Sequence, residues 1–366
     1  MDTPVERLRA WLDQHHLIGG GRLPAERSLA VLLGCSRRQL RSALAALDGD
    51  GQLRQPSART RVVAGPITPG DLGDSVIVLA SPADLPAAGS ERYQGLYQRL
   101  YSAVQDALAA AGLRQMVLPA DAQMRERVCQ VVMRRPAGIL VLFAASREPG
   151  GQELLDSARR AGVPAVVCGD HLSSAEVASC GTAVVGFDHA AAVAAMVARA
   201  VTDGHRRLLR VRGWNPAIAS CSWRDRQEQG WSCGLAAHGL HAPATVEVPI
   251  PDEGAPLDHD HHRPRILAGY LAEHLLGSEP VEAILAASDS LVPELGLACR
   301  LLGRQAALYG YDHMYDHPVL AARMTATGIR PLVTVDPNPA ELARMAVSLL
   351  RTPAGVGLHL SAMRLV

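Results

Sequence analysis

Leu23-Pro24-Ala25-Glu26-Arg27-Ser28-Leu29-Ala30-Val31-Leu32-Leu33-Gly34-Cys35-Ser36-Arg37-Arg38-Gln39-Leu40-Arg41-Ser42-Ala43-Leu44-Ala45-Ala46-Leu47 is the stretch from which the chain can be read outward. Pro24 is placed to open a short helix, because its fixed φ suits the first helical turn and its missing N–H is not needed there. That helix ends at Gly34. Ser36 then stands as a natural N-cap for a further helix over residues 37–47. Upstream, Val5 to Leu12 carries apolar residues at helical spacing, and a break at Gly19-Gly20-Gly21 follows. Downstream, Gln52-Leu53-Arg54 and Arg61-Val62-Val63 alternate like a small hairpin around Pro56 and Ser57.

Helix, helix, tight turn, helix, hairpin is the order of a winged helix-turn-helix. Charge agrees with that order. Net charge over the 366 residues is zero, with 36 basic and 36 acidic side chains. Residues 1–65 hold 10 Arg against 6 Asp and Glu, a surplus of +4, so the remainder carries −4. A basic head on an acidic body is the distribution expected when one part meets phosphate and the other does not. Lysine is absent from the sequence, so arginine carries all of this positive charge.

Residues 65–74, Gly-Pro-Ile-Thr-Pro-Gly-Asp-Leu-Gly-Asp, read as a Pro/Gly-rich linker. Domain boundaries follow: a head over 1–64, the linker, and a body over 75–366. In the body, strand-like apolar runs at residues 76–80, 139–143, 165–168, 208–211, 283–287 and 307–311 alternate with helical stretches. Repeated βα units imply parallel sheets with helices on both faces. Almost 300 residues is large for one sheet, so two similar lobes are expected. The fold class is thus α/β: an N-terminal winged helix-turn-helix plus a two-lobed domain with parallel sheets.

The segment 23–47 resembles the GntR-type winged-helix family, whose pattern is a Leu-Pro-Ser-Glu-Arg turn, a helix, Gly-Val-Ser-Arg, and a recognition helix carrying Val-Arg-Glu-Ala-Leu. By that resemblance Arg27, Arg37 and Arg41 occupy DNA-contacting positions. Physics points the same way. Ser36, Arg37 and Arg38 sit at a helix N-terminus, where N–H groups and guanidinium forks meet phosphates and guanine edges. Arg37 and Arg41 are four apart and share one face. The family's wing tip is Gly-rich, whereas here it reads Gln55 to Arg61 without glycine. Arg59 is the candidate wing contact, although this tip is less free to approach DNA closely.

From about Asp74 onward the chain resembles the effector-binding domain of the LacI/GalR-type family, related to periplasmic binding proteins. Its markers are Gly138-Ile-Leu-Val-Leu, Gly162-Val-Pro-Ala-Val-Val, Val185-Gly-Phe-Asp188, Asp203-Gly-His-Arg-Arg-Leu, Arg226-Gln-Glu-Gln-Gly-Trp231, Ala283-Ile-Leu-Ala-Ala-Ser-Asp289 and Tyr309-Gly-Tyr-Asp312. The same pairing of head and body occurs in arabinose-responsive repressors. The resemblance implies an effector site with Asp289 and Asp312 facing ligand hydroxyls. Where that family usually has arginine, this chain has Gln227, with Arg226 beside it, and where it has an acid at the end of the fourth strand, Gly169 and Asp170 stand. A carboxylate-plus-amide site suits a neutral polyol, and the missing arginine argues against a sugar acid. Trp214 and Trp223 offer aromatic faces for a sugar ring, although loop tryptophans equally serve as packing anchors.

Asp258-His-Asp-His-His262 has the residue types of a metal site. It lies between Pro256 and Pro264 with no second ligand group at a recognisable spacing, and reads as a solvated loop. No metal or cofactor is expected. Nucleophile-elbow, metalloprotease, phosphate-loop and dinucleotide motifs are all missing, so an enzyme is not expected. Seven scattered cysteines without a CxxC pair fit reduced thiols. With no signal peptide and no apolar run of membrane length, a cytoplasmic protein with no membrane partner is expected.

Together these readings describe a ligand-responsive transcription regulator, a repressor by family habit. It would act as a homodimer on double-stranded operator DNA and answer to a sugar-like effector that closes the two lobes. Two alternatives stay open: a ligand-binding protein whose winged helix contacts proteins, and an α/β enzyme with a dispersed site.

Overall fold

The computed structural model describes residues 3–14, 23–24, 26–49, 53–57, 60–63, 72–80, 96–120, 131–132, 134–142, 149–169, 172–214, 221–241, 245–249, 262–314, 318–352 and 356–366. At the N-terminus, α1 (Pro4–Gln14), α2 (Glu26–Leu32) and α3 (Arg37–Gly49) precede a hairpin of β1 (Leu53–Ser57) and β2 (Thr60–Val63). Residues 37–47 are helical as expected, and the helix runs two residues further. The hairpin also forms, but Pro56 and Ser57 belong to β1, and Ser57 faces Thr60 past an irregularity after Arg54. Proline cannot donate to the ladder, so a break in register beside it is natural.

This head closes on Leu8, Leu23, Leu29, Leu33, Leu40, Leu44, Leu47 and Leu53, all buried. In α3 the buried set is Leu40, Ala43, Leu44 and Leu47, the i, i+3, i+4, i+7 stripe of an amphipathic helix. Gly34, at φ +57°, ends α2. Cys35 N–H reaches Ala30 O at 3.0 Å and Gly34 N–H reaches Val31 O at 3.1 Å, the bond pair of a Schellman cap. Arg7 of α1 donates to Leu33 O at 2.8 Å and Gly34 O at 3.2 Å, tying the first helix to the turn.

The body contains two parallel sheets, as the alternation of runs and helices implied, with α4 (Leu96–Ala110), α5 (Pro149–Ala161) and α6 (Ser174–Ser179) among the connections of the larger one. The larger one has strand order β13 (Gly357–Ser361), β7 (Ala183–Phe187), β6 (Ala165–Cys168), β5 (Gly138–Leu142), β3 (Ser75–Ala80) and β4 (Arg114–Pro119). Strands β3, β5 and β7 are buried at every position, which is why they read as unbroken apolar runs. The smaller sheet has order β11 (Ala307–Tyr309), β10 (Ala283–Ala286), β8 (Leu208–Trp214) and β9 (Val246–Pro249), all parallel. A short antiparallel pair joins β12 (Val335–Asp336) to β14 (Arg364–Leu365).

By its internal contacts the chain divides into one unit of Met1–Ser90, Gln105–Val166 and Leu349–Pro353 and another of Glu91–Val104, Val167–Ser348 and Ala354–Val366. In the first, the end of the linker is fastened: Leu72 O accepts from Ser75 N–H at 2.7 Å, and Asp74 pairs with Arg114. The second unit holds the smaller sheet, and its strands sort residues by parity. Leu209, Val211, Ile284, Ala286 and Leu308 face α9 (Arg263–Leu276) and α10 (Val292–Leu301). Leu208, Ala283, Leu285 and Tyr309 face α7 (His189–Thr202) and α8 (Ser222–Ala237). Period-two alternation therefore also puts Arg210 and Arg212 on the α7/α8 side.

Candidate functional site

In the head, Ser36 and Gln39 form a reciprocal cap. Gln39 N–H donates to Ser36 Oγ at 3.3 Å, and Ser36 N–H donates to Gln39 Oε1 at 2.9 Å. This fixes the first turn of α3 and commits the Ser36 hydroxyl locally, since it also donates to Gln39 Oε1 at 2.8 Å. Arg37 and Arg38, in that turn, are exposed, as are Arg41 and Arg27. Sequence reasoning missed one partner: Arg41 Nε meets Glu26 Oε2 of α2 at 2.8 Å, with the arginine side chain still 62% exposed. The pair orients Arg41 more than it stabilises the fold, because exposed ion pairs contribute ~0–1 kcal/mol. Arg59 lies outside the described residues.

In the second unit, Asp289 follows β10 and is fully buried. Its carboxylate accepts from Met314 N–H at 2.9 Å and from Thr334 Oγ1 at 2.8 and 2.9 Å. Gly310, after β11, leaves room for it: a Cβ there would lie 1.8 Å from Asp289 Oδ1. Burial pushes the Asp289 carboxyl up to about 6 in spite of these bonds. This carboxylate is thereby engaged with its own protein, holding the loop after β11 against β10.

Asp312 lies in that loop, partly buried, at φ +86°. Such a backbone in a non-glycine residue persists only where its surroundings hold it. Arg99 supplies part of the hold, donating to His313 O at 3.2 Å and to Asp336 Oδ1 at 2.7 Å. Burial and the nearby Asp289 charge push the Asp312 carboxyl up to about 7, so near neutral pH it is available both to donate and to accept.

Gln227, in α8, is buried and accepts from Arg210 Nη2 at 2.6 Å. Arg210 Nη1 reaches Glu228 Oε2 at 2.7 Å. Trp214 closes β8 opposite Pro249; its side chain and all of Asp170 lie outside the described residues. Trp223, in the first turn of α8, is partly buried, its ring 6.1 Å from that of His189. His189 Nδ1 lies 2.8 Å from Tyr311 Oη, and those two rings stack at 5.9 Å. The geometry therefore brings Asp289 and Asp312 together beyond the carboxyl ends of β10 and β11, where open α/β sheets bind ligands. It places Gln227 on α8 beneath Arg210.

Arg210, Arg212, Arg224 and Glu247 were not expected from the sequence. Their signal was the alternation of Arg210 and Arg212 within an otherwise apolar strand. Among the described residues no group of three His, Cys, Asp or Glu is placed to hold a metal ion; Asp258 to His261 lie outside them. No helix of the described residues is long and apolar enough to cross a membrane. Six cysteines are described and none of them is in a disulfide.

Residues 3–71 match the model of the bacterial regulatory proteins of the gntR family. A 52-residue stretch is 50% identical to a putative L-lactate dehydrogenase operon regulatory protein of Escherichia coli K12, covering 14% of this chain and 20% of that relative. The match therefore spans a fifth of the relative's length. Among solved structures, the lac repressor bound to ONPG superposes with a TM-score of 0.54 at 15% identity, over 90% of this chain and 88% of that one. The CelR–cellobiose complex gives 0.53 at 17%, over 94% and 98%. At such identities the likeness is one of fold. The chain joins an N-terminal segment that matches the gntR model to a body with the periplasmic-binding-protein-like fold seen in LacI-type regulators.

Proposed function

We propose that this protein is a transcription regulator, a repressor, that binds operator DNA through α3 and releases or grips it in response to a small polar effector of sugar type. One observation carries the reading. The capped first turn of α3 presents Arg37, Arg38 and Arg41 to solvent inside the segment that matches the gntR model. Buried leucines set the orientation of that helix, so its arginines project from a rigid element. The body supports the sensor half, with Asp312 and Asp289 beyond the strand ends of a fold whose solved relatives include a cellobiose complex. Asp312, Gln227, Asp170 and Trp214 are the proposed effector contacts, and Asp289 positions Asp312 through the loop it holds.

The active form is a homodimer whose two heads read a near-palindromic site. It is cytoplasmic and turns over no substrate. The effector acts by differential affinity for two conformational states. Fluorescence anisotropy on DNA flanking the gene tests the DNA half. Arg37→Ala and Arg41→Ala should each lose ~1–3 kcal/mol of specific binding if they read bases, with Arg265→Ala, on the exposed side of α9, as control. Specific affinity unchanged in both head variants would refute the proposal and favour protein contacts for the winged helix.

A further inference from the structure

The face of the smaller sheet that meets α8 carries an unusual load. Along β8, Leu208 is buried in apolar company, whereas Arg210 and Arg212 continue the same face. Arg210 is held by Gln227 and Glu228. Arg212 Nη1 lies 3.2 Å from Glu228 Oε2, and its other end pairs with Glu247, its neighbour on β9. Arg224, in the first turn of α8, points into the same group. Its side chain is 6% exposed, and Nη2 lies 3.1 Å from Glu247 Oε1. Thr245 Oγ1 adds a further donor to Glu228 at 3.2 Å.

Three guanidinium groups thus share two carboxylates. Arg224 Nη1 is buried and donates to nothing among the described residues. A buried, unmatched donor on a cation is costly, far more so than an exposed one. Fastening the edge strand β9 to β8 needs only Arg212 with Glu247. Arg224 adds charge that this fastening does not use. Burial, and after it the like charge of Arg212, disfavour its cationic form, so an anion at Nη1 would relieve both.

Two further features favour an anion. Arg212 stands one residue past Val211, the last position at which β8 pairs with β10, so this end of the cluster lies beyond the end of that central strand. Arg224 also belongs to the first turn of a 16-residue helix that has no side-chain cap at its start, where the helix dipole favours negative charge.

We infer that the effector carries an oxyanion, a carboxylate or a phosphate ester, and that Arg224 receives it at the start of α8. This rests on the sensor reading above and narrows it. The family position at Gln227 has lost its arginine, which on sequence grounds argued for a neutral polyol. The fold supplies a guanidinium from one helical turn earlier, and the planar fork of arginine suits carboxylate and phosphate alike.

The test is thermal unfolding of the full chain at constant ionic strength, with D-glucose, D-glucuronate, D-glucose 6-phosphate and inorganic phosphate as probes. Wild type, Arg224→Gln, Arg224→Lys and, as a surface-charge control, Arg265→Gln are compared after circular dichroism confirms folding. An acidic probe should raise the melting temperature of wild type saturably. Arg224→Gln should weaken that response ~10-fold or more, Arg224→Lys less, and Arg265→Gln not at all. Glucuronate against glucose 6-phosphate tells carboxylate from phosphate.

The inference is overturned if no anion acts, or if the response is the same in Arg224→Gln. A response to D-glucose alone would overturn it while leaving the sensor reading intact. Conversely, an anion bound through Arg224 that leaves operator affinity unchanged would keep the site and remove the sensor reading.

Discussion

Gly310→Ala is the smallest change that probes how the site is built. The added methyl would stand 1.8 Å from Asp289 Oδ1 and 3.2 Å from Pro331 Cγ, where ordinary contact begins at 3.4 Å. The carboxylate must therefore retreat by roughly 1.6 Å. It has nowhere cheap to go, because Asp289 and Thr334 are both fully buried. Retreat lengthens its bonds from Thr334 Oγ1 and Met314 N–H. A buried donor left without its acceptor costs ~1–3 kcal/mol, so two cost about 2–6 kcal/mol. For a unit of roughly 200 residues, such as the one that holds Gly310, each kcal/mol lowers the melting temperature by about 2–4 °C. Differential scanning fluorimetry should thus show a loss of at least several degrees, together with weakened response to any effector that uses Asp312. Gly269→Ala is the matched control, since nothing lies within 4 Å of its Cβ position in α9. A Gly310→Ala protein as stable as wild type would show that the carboxylate is not locked against β11, and the account of Asp289 as a positioning group would fail.

Other expectations follow from the same structure. Gly269→Ala itself should stabilise by up to ~1 kcal/mol, the helix-propensity gain at an open position, and a loss in chemical denaturation would contradict the open space seen there. Burial raises Asp289 from an ordinary 3.8 to about 6 and Asp312 to about 7. The folded state therefore holds protons that the unfolded state has released, and this contribution to stability is lost as pH rises from about 4 to 7. Melting temperatures measured across that range should show a shallower fall in Asp312→Asn, and an unchanged slope would speak against a raised Asp312. Glu26→Gln should alter stability by less than ~1 kcal/mol while freeing Arg41. Operator affinity by anisotropy should hold or rise, and a fall would mean that the ion pair presents Arg41 to DNA. Leu44→Ala should cost ~2–5 kcal/mol in the head and abolish operator binding at growth temperature, which band-shift assays would reveal.

Legibility differed by element for physical reasons. Strands buried on both faces, such as Val76 to Ala80 and Ala165 to Cys168, announce themselves as apolar runs. Edge strands β4, β9 and β13 are half exposed: polar and apolar residues alternate through Val246 to Val248 and Leu358 to Ser361, and Arg114 and Gln115 open β4 ahead of a short apolar stretch, Met116 to Leu118. They were not read as strands. Central β7 was missed as well, because its apolar run passes into α7 with only Asp188 between. The α3 arginines could be read locally, since cap, spacing and exposure all follow from one helix. The surroundings of Asp289 could not. Thr334 lies 45 residues away and Met314 lies 25, and no local pattern foretells a contact that only β-strand topology creates. Arg224, Arg212 and Glu247 were hidden for the same reason, meeting from a helix and two strands.

The most direct test of the central claim is the affinity of the full chain for its operator, titrated with and without the ligand that best raises its melting temperature. A regulator of the proposed kind should show a shift of about 5–150-fold, the range of ordinary allosteric coupling, and operator should shift the ligand's affinity by the same factor. Operator binding that is specific yet identical at every ligand concentration would contradict the claim that this body controls this head.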